Sequence, residues 1–121
     1  MVWTVRISEA NDMPNIIRLI ERARSAETVH VELSEVVADL RLPKTNIVAC
    51  VGDSIVAVLV GRCEGDIGRI VAIAIAPEWR NKGIGSALIG RAEAAFLKEG
   101  CQRIVALLTE NQVGAAALIN R

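Results

Sequence analysis

The chain has 121 residues, of which 52% are apolar and only 2% aromatic, and tyrosine is absent. This length fits one domain, so we treat residues 1–121 as a single unit, and the apolar content excludes a disordered segment. Fourteen Lys and Arg are balanced by fourteen Asp and Glu, without the basic excess that is typical of nucleic-acid-binding proteins. The longest apolar run is far too short to span a bilayer. We therefore expect neither nucleic acid nor a membrane as a partner.

Cysteine usage bears on metal binding and on the cellular compartment. Cys50, Cys63 and Cys101 are widely spaced and form no Cys-x-x-Cys pair, and the chain has one histidine. A zinc site requires close-spaced ligand pairs, so we predict no metal site. We interpret the cysteines as three reduced thiols. Because no signal-peptide pattern opens the chain, we expect a cytoplasmic protein.

Hydrophobic periodicity predicts nine elements in the order β-α-α-β-β-β-α-β-α. In chain order they are a strand over Trp3–Ile7, a helix capped within Ser8–Asp12, a helix near Glu32–Leu40, strands over Asn46–Val51 and Ser54–Arg62, a strand over Arg69–Ala76, a helix over Gly83–Glu99, a strand over Arg103–Thr109 and a helix from Val113. This order predicts an α/β (α+β) fold. Its mixed central sheet would combine a meander with a βαβ crossover.

The turn between the buried strand and the third predicted helix has the features of an anion site. The first N–H groups of a helix lack intrahelical partners and lie at the positive end of the helix dipole. Gly83 and Gly85 allow a ligand to approach the backbone closely. Arg80 and Lys82 add positive charge beside them. The turn therefore predicts a site for a pyrophosphate group.

Two familiar phosphate-binding motifs are incomplete at this turn. No Gly-Lys-Ser/Thr follows a first glycine at Walker spacing, and Leu88 stands where Gly-x-Gly-x-x-Gly would place its third glycine. A nucleotide-binding regulator with ATP or NAD at the turn is therefore a weak alternative. The other alternative is a plain strand-to-helix turn whose glycines serve only close packing.

The stretch Ile75–Leu88, IAPEWRNKGIGSAL, resembles motif A of the GNAT acetyltransferases, V-x-P-x-(aromatic)-(R/Q)-x-x-G-x-(G/A) followed by a helix. The agreeing positions are Ile75, Pro77, Trp79, Arg80, Gly83 and Gly85. The order of the surrounding elements is also similar, so the resemblance covers nearly the whole chain. It implies a GNAT-like fold and an N-acetyltransferase that transfers acetyl from acetyl-CoA, its cosubstrate, directly to the primary amine of a small molecule or peptide.

The resemblance also implies which residues contact acetyl-CoA. The strand edge at Ile73–Ile75 would pair with the pantetheine arm, and amides from Lys82 to Ser86 would bind the pyrophosphate. The backbone N–H of Ile75 would hold the thioester oxygen, on which negative charge develops during attack. The implied cofactor-binding residues are Ile73, Ala74, Ile75, Arg80, Asn81, Lys82, Gly83, Ile84, Gly85, Ser86 and Asn111.

The acid and the base of such a reaction do not follow the family pattern. Family members often place a tyrosine in the last helix to protonate the leaving thiolate, whereas Leu118 or Ile119 stands there in this chain. A thiol pKa of about 8.5 allows the thiolate to leave without full protonation. The central strand carries no acid, so Glu64 or Glu110 is the candidate base. Each is more simply explained as an ordinary solvated turn residue.

The chain also stops where the family pattern expects one or two more strands. We therefore expect a single GNAT-like domain that lacks its last strands. A sheet that ends in an unpaired edge is prone to associate, and on this ground we predict a homodimer. The missing tyrosine and the acid-free central strand favour one alternative to an enzyme, namely a catalytically weak or inactive acyl-CoA-binding module of GNAT type.

Overall fold

A computed structural model describes residues 2–25 and 43–106 of the chain. These ranges contain the strands β1 (Thr4–Ile7), β2 (Ile47–Val51), β3 (Ser54–Glu64), β4 (Ile67–Ile75) and β5 (Arg103–Ala106), and the α-helices α1 (Met13–Ser25) and α2 (Ile84–Lys98). Short 3-10 turns lie at Ala10–Asp12, Pro43–Thr45 and Pro77–Trp79. Neither described helix has the combination of length and apolarity needed to cross a membrane.

The strands form one mixed sheet in the order β1-β2-β3-β4-β5. The first four strands are a sequential antiparallel meander. Helix α2 then crosses over, and β5 pairs in parallel with β4 through the register Ile67–Ile70 against Arg103–Ala106. This arrangement confirms the predicted α+β fold with its mixed sheet and βαβ crossover.

The predicted hairpin between β3 and β4 was too short. The prediction ended one strand at Arg62 and began the next at Arg69, whereas the ladder continues through Cys63 opposite Gly68 and Glu64 opposite Ile67. The extension contains a charged residue and a glycine, which are not typical of a strand. Pairing between two strands also cannot be recognised from the periodicity of one strand alone. The helix predicted near Glu32–Leu40 and the helix predicted from Val113 lie outside the described residues.

The two helices cover opposite faces of the sheet. On one face, α1 packs through Ile16, Leu19 and Ile20 on alternate strand residues. On the other face, α2 packs through a second apolar cluster that includes Leu88 and Phe96. Successive strand residues point to opposite faces, so Ala72 and Ala74 of β4 belong to the first cluster and Ile73 and Ile75 to the second. The register shift between Val60 and Gly61, where β4 has one extra residue, places Ile70 in the second cluster as well. The two-sided burial predicted for this strand is therefore present, and it fixes α2 against β4.

The ring of Phe96 lies directly on the backbones of two strands. A Cβ atom added at Gly68 would lie 2.6–2.9 Å from three ring carbons, and one at Gly61 would lie 2.7 Å from Cζ. Separations below 3.0 Å are essentially never found for real Cβ atoms. Thr45 Oγ1 donates to the Gly61 carbonyl at 2.9 Å, and the Gly61 N–H donates to Asn46 Oδ1 at 3.0 Å. These hydrogen bonds fix β3 at Gly61, where the register of the β3–β4 ladder shifts beside the Phe96 ring.

The connection from β1 into α1 is held by one carboxylate. Asp12 accepts hydrogen bonds from both terminal nitrogens of Arg6, at 2.7 and 3.0 Å, and from the Glu9 N–H at 2.8 Å. Asp12 is buried. The hydrogen bond from Arg6, assisted by that from Glu9, lowers the pKa of Asp12 against the opposing effect of burial. The carboxylate therefore favours the folded state as long as it is charged.

We expect Gly68→Ala to lower the free energy of unfolding by about 1–3 kcal/mol, because the new methyl group would displace the Phe96 ring. The measurement is urea denaturation followed by circular dichroism. Gly90→Ala is the matched control. Gly90 lies inside α2 with no atom within 4 Å of an added Cβ, so this change should stabilise the protein by about 0.5–1 kcal/mol. If the two substitutions changed the free energy of unfolding by the same amount, the close contact between the Phe96 ring and the Gly68 backbone would be disproved.

We expect Asp12→Asn to cost about 1–2 kcal/mol near neutral pH, because it removes a charge-assisted pair with Arg6. The folded pKa of Asp12 is lowered, so its contribution is fully present above the unfolded pKa of about 3.9 and is lost as the pH falls through the folded pKa. The gap between variant and wild type in urea unfolding should therefore shrink on acidification. A difference in free energy of unfolding that widened on acidification would contradict this assignment. Asp53→Asn is the control for the loss of one exposed negative charge.

Candidate functional site

The predicted turn lies at the carboxyl end of β4 and leads directly into α2. The Trp79 N–H donates to the Ala76 carbonyl at 2.9 Å, which closes the 3-10 turn after the strand. The half-buried indole of Trp79 packs against the apolar clusters on both faces of the sheet. This side chain therefore anchors the turn at the edge where the two cores meet.

The start of α2 has no side-chain cap from its N-cap residue. Gly83 occupies the N-cap position with a φ of 83°, a left-handed conformation, and makes no side-chain capping bond to the helix. The first intrahelical bond runs from the Ala87 N–H to the Gly83 carbonyl at 3.2 Å, so the N–H groups of Ile84, Gly85 and Ser86 precede it. A Cβ added at Gly83 would meet nothing within 4 Å. The first N–H groups of the helix therefore have no partner within the helix itself, as an anion site requires.

Arg80 supplies an unpartnered donor beside this helix end. Its Nη2 atom is buried and has no hydrogen-bond acceptor among the described residues. A buried charged donor without an acceptor carries a large desolvation penalty, which an anionic ligand would relieve. Lys82 is exposed on the same turn. The donor set of one guanidinium, one ammonium and several N–H groups fits a ligand with many oxygen atoms, such as a pyrophosphate.

The edge of β4 that faces β5 carries the predicted thioester-binding group. The Ala76 N–H donates to the Val56 carbonyl of β3 at 2.9 Å. Because N–H groups alternate between the two edges of a strand, the Ile75 N–H points to the β5 side. A Cβ added at Gly85 would lie 3.6 Å from Ile75 Cδ1. The structure thus brings Ile75 and the first turn of α2 together.

In the part of the chain that the structure describes, no predicted base lies beside the Ile75 N–H. Glu64 lies opposite Ile67 at the other end of β4, which is roughly 26 Å from Ile75 at a rise of ~3.3 Å per residue. It forms ion pairs of 3.3 Å with both Arg62 and Arg69. Glu110 and Asn111 lie outside the described residues. Across residues 2–25 and 43–106, no group of three His, Cys, Asp or Glu side chains could hold a metal ion.

A groove of about 600 Å³ borders the turn on the α1 side of the sheet. Its charged lining comes from Arg18 and Arg22 of α1, Asp53 of the β2–β3 turn, and Glu78. Arg22 and Glu78 approach to 3.5 Å with both side chains more than half exposed, so their pairing is weak. This groove is not apparent from the sequence, because its walls come from three distant segments. The spacing of Arg18 and Arg22, one helical turn apart, was the available signal.

The acetyltransferase (GNAT) family matches residues 13–121, and the chain belongs to this family, as predicted. It is 28% identical over 108 residues to an acetyltransferase of Pectobacterium atrosepticum, covering 88% of this chain and 77% of that protein. It is 33% identical over 69 residues to an acetyltransferase of Photorhabdus laumondii, covering 57% of this chain. The match spans 48% of the Photorhabdus protein, or about half its length.

Solved structures share the fold. A GNAT family acetyltransferase from Brucella melitensis in complex with acetyl-CoA superposes with a TM-score of 0.74 at 19% identity, covering 89% of this chain and 77% of that one. Ard1 from Thermoplasma volcanium gives 0.77 at 20% identity, with 99% and 80% covered. N-acetylglutamate synthase from Neisseria gonorrhoeae, complexed with coenzyme A and N-acetyl-glutamate, gives 0.75 at 18% identity, with 97% and 28% covered. At these identities the likeness concerns the fold.

Proposed function

We propose that this protein transfers the acetyl group of acetyl-CoA to a primary amine by direct attack. The observation that carries the proposal is the start of α2, where Gly83 provides no side-chain cap, together with the buried Nη2 of Arg80, which has no acceptor among the described residues. This arrangement fits the pyrophosphate of coenzyme A. Family membership supports the assignment, as does the presence of acetyl-CoA in the Brucella neighbour.

In this proposal, amides from Lys82 to Ser86 and the side chain of Arg80 bind the pyrophosphate, with Asn81 shaping the turn. Asn81 adopts a left-handed φ of 61°, as Gly83 does two residues later with a φ of 83°, so both positions contribute to the sharp turn before α2. The pantetheine arm lies along the β4 edge at Ile73–Ile75, and Asn111 completes the site. Binding through backbone groups requires the local geometry rather than particular side chains.

The chemistry requires a stabilised oxygen, a proton acceptor and a departing thiol. Acetyl-CoA supplies an acetyl thioester, whose C–S bond breaks as the amine nitrogen bonds to the carbonyl carbon. The Ile75 N–H donates to the carbonyl oxygen as negative charge develops on that oxygen. One such fixed donor lowers the activation free energy by about 2.7–4 kcal/mol. The turn and strand edge hold the thioester in place for attack.

We propose Glu110 rather than Glu64 as the base that accepts the ammonium proton. Glu64 is occupied by two arginines at the far end of β4. Glu110 follows β5 in the sequence, and β5 runs in the same direction as β4, toward the end that carries Ile75. Because the chain has no tyrosine, the thiolate leaves without a phenol to protonate it, which a thiol pKa of about 8.5 permits.

A second candidate function is an acyl-CoA-binding module without turnover. The absence of tyrosine and the distance of Glu64 from Ile75 favour it. Both candidates require the same coenzyme site, so binding alone does not distinguish them. Release of free thiol in the presence of an amine does.

We expect calorimetric titration to give micromolar binding of acetyl-CoA and much weaker binding of NAD and ATP. Incubation with a panel of primary amines should then release free coenzyme A thiol above the rate without amine. Binding with no thiol release across the panel would favour the module. Tight NAD or ATP binding without acetyl-CoA binding would overturn both candidates.

We expect Gly85→Asp to abolish acetyl-CoA binding, since it places a carboxylate among the N–H groups that would hold the pyrophosphate. Gly83→Asp should act in the same way. Gly90→Asp, the same substitution at an exposed position about one and a half turns further along α2, is the matched control and should bind normally. Arg80→Gln should weaken binding by about 10–100-fold, the value of a charged hydrogen bond. Unchanged affinity in Gly85→Asp would show that the site is misassigned.

A further inference from the structure

Two thiols that are 38 residues apart in the sequence meet at the end of the sheet opposite the turn. The Sγ atoms of Cys63 and Cys101 are 3.2 Å apart, and both are free thiols. Cys63 lies near the end of β3, opposite Gly68. Cys101 follows α2 directly and leads into β5. Cys63 is exposed, whereas Cys101 is only 2% exposed.

The backbone holds both cysteines in place. Cys63 is part of the β3–β4 ladder. The Cys101 N–H donates to the Phe96 carbonyl at 2.9 Å, and the Gln102 N–H donates to the Asp66 carbonyl of the β3–β4 turn at 2.6 Å. A disulfide requires an S–S distance of about 2.05 Å, so the sulfur atoms need approach by only about 1.2 Å. Side-chain rotation supplies a movement of this size.

The third cysteine cannot compete for this pairing. Cys50 is buried in the apolar cluster beneath α1, on the other face of the sheet from Cys101. The sheet therefore separates Cys50 from the pair. This makes Cys50 a matched control for any reaction of the other two thiols.

We propose that Cys63 and Cys101 form a redox-modifiable site, which a small disulfide such as glutathione disulfide converts into an intramolecular disulfide. The exposed Cys63 sulfur, after loss of its proton, attacks the reagent and forms a mixed disulfide. One glutathione leaves as a thiol and carries away that proton. Cys101 then attacks the Cys63 sulfur, forms the internal bond and releases the second glutathione. Two protein thiols are oxidised, and one glutathione disulfide is reduced to two glutathione thiols.

The environment of the pair makes the first step slow. Partial burial beside Cys101 raises the pKa of Cys63 to about 11, with contributions from the Cys101 thiol and the Glu99 carboxylate. The thiolate is the attacking species, so little of it is present near neutral pH.

The internal bond would close a loop that contains β4, the turn and α2, which is the part of the chain assigned to coenzyme binding. Closing a loop of this length restricts the unfolded chain and thereby stabilises the folded one. The pair and the turn lie at opposite ends of β4, so closure leaves the turn itself unaltered. We infer that the disulfide stabilises the loop that contains β4, the turn and α2, and does not block the turn.

The test is incubation of the full chain with glutathione disulfide for several hours, followed by alkylation of free thiols, mass spectrometry and thermal unfolding. The wild type and Cys50→Ala should each lose two thiols to one internal bond, and their Tm should rise by about 5–15 °C. Cys63→Ser and Cys101→Ser should form no internal bond and show no such rise. The exposed position of Cys63 keeps this variant informative if Cys101→Ser folds poorly.

Two outcomes would overturn the proposal. One is a lasting glutathione adduct on Cys63 without closure, which would show that Cys101 does not reach it. The other is closure without a rise in Tm, which would show that the bond does not act as a staple. Neither outcome depends on acetyl-CoA binding, so this test and that of the proposed function fail independently.

Discussion

The close contact between the Phe96 ring and the backbones of Gly61 and Gly68 determines where α2 lies on the sheet. No side chain separates the ring from the strands, so the helix is seated by direct contact near its carboxyl end. Phe96 is twelve residues from Ile84, which corresponds to about 18 Å along a rigid helix. The seat at one end therefore positions the N–H groups at the other end beside Ile75. The geometry of the candidate site therefore depends on packing along the whole helix, from Ile84 beside the site to Phe96 at the far end.

The site itself leaves polar groups unsatisfied where the rest of the described structure satisfies them. Buried Asp12 and the Thr45–Asn46 pair are fully engaged by neighbours, whereas the start of α2 has no side-chain cap from Gly83 and Arg80 Nη2 has no acceptor in the described ranges. Folded proteins rarely leave such groups unpaired without a functional reason. The contrast between these regions argues for a ligand at the turn more strongly than the glycines do alone.

Local features of the sequence predicted most of the fold and the turn. Strand alternation, the helical stripe of α2 and the residues from Pro77 to Gly85 are each readable within a short window. The missed features depend on long-range pairing. The β3–β4 ladder extends past Gly68, and its register places Glu64 far from Ile75. The meeting of Cys63 with Cys101 and the groove between Arg18 and Glu78 likewise arise only once the strands are in register.

The helix start without a side-chain cap has a consequence for how this sequence can diverge. Recognition through main-chain N–H groups constrains the path of the backbone but hardly constrains the identity of the residues that supply it. Mutational drift is therefore tolerated over most of the surface, provided that the left-handed position and the helix seat are kept. A chain built in this way can share its architecture with Ard1 at a TM-score of 0.77 while retaining 20% identity. The walls of the neighbouring groove can then change in sequence without altering the backbone of the turn.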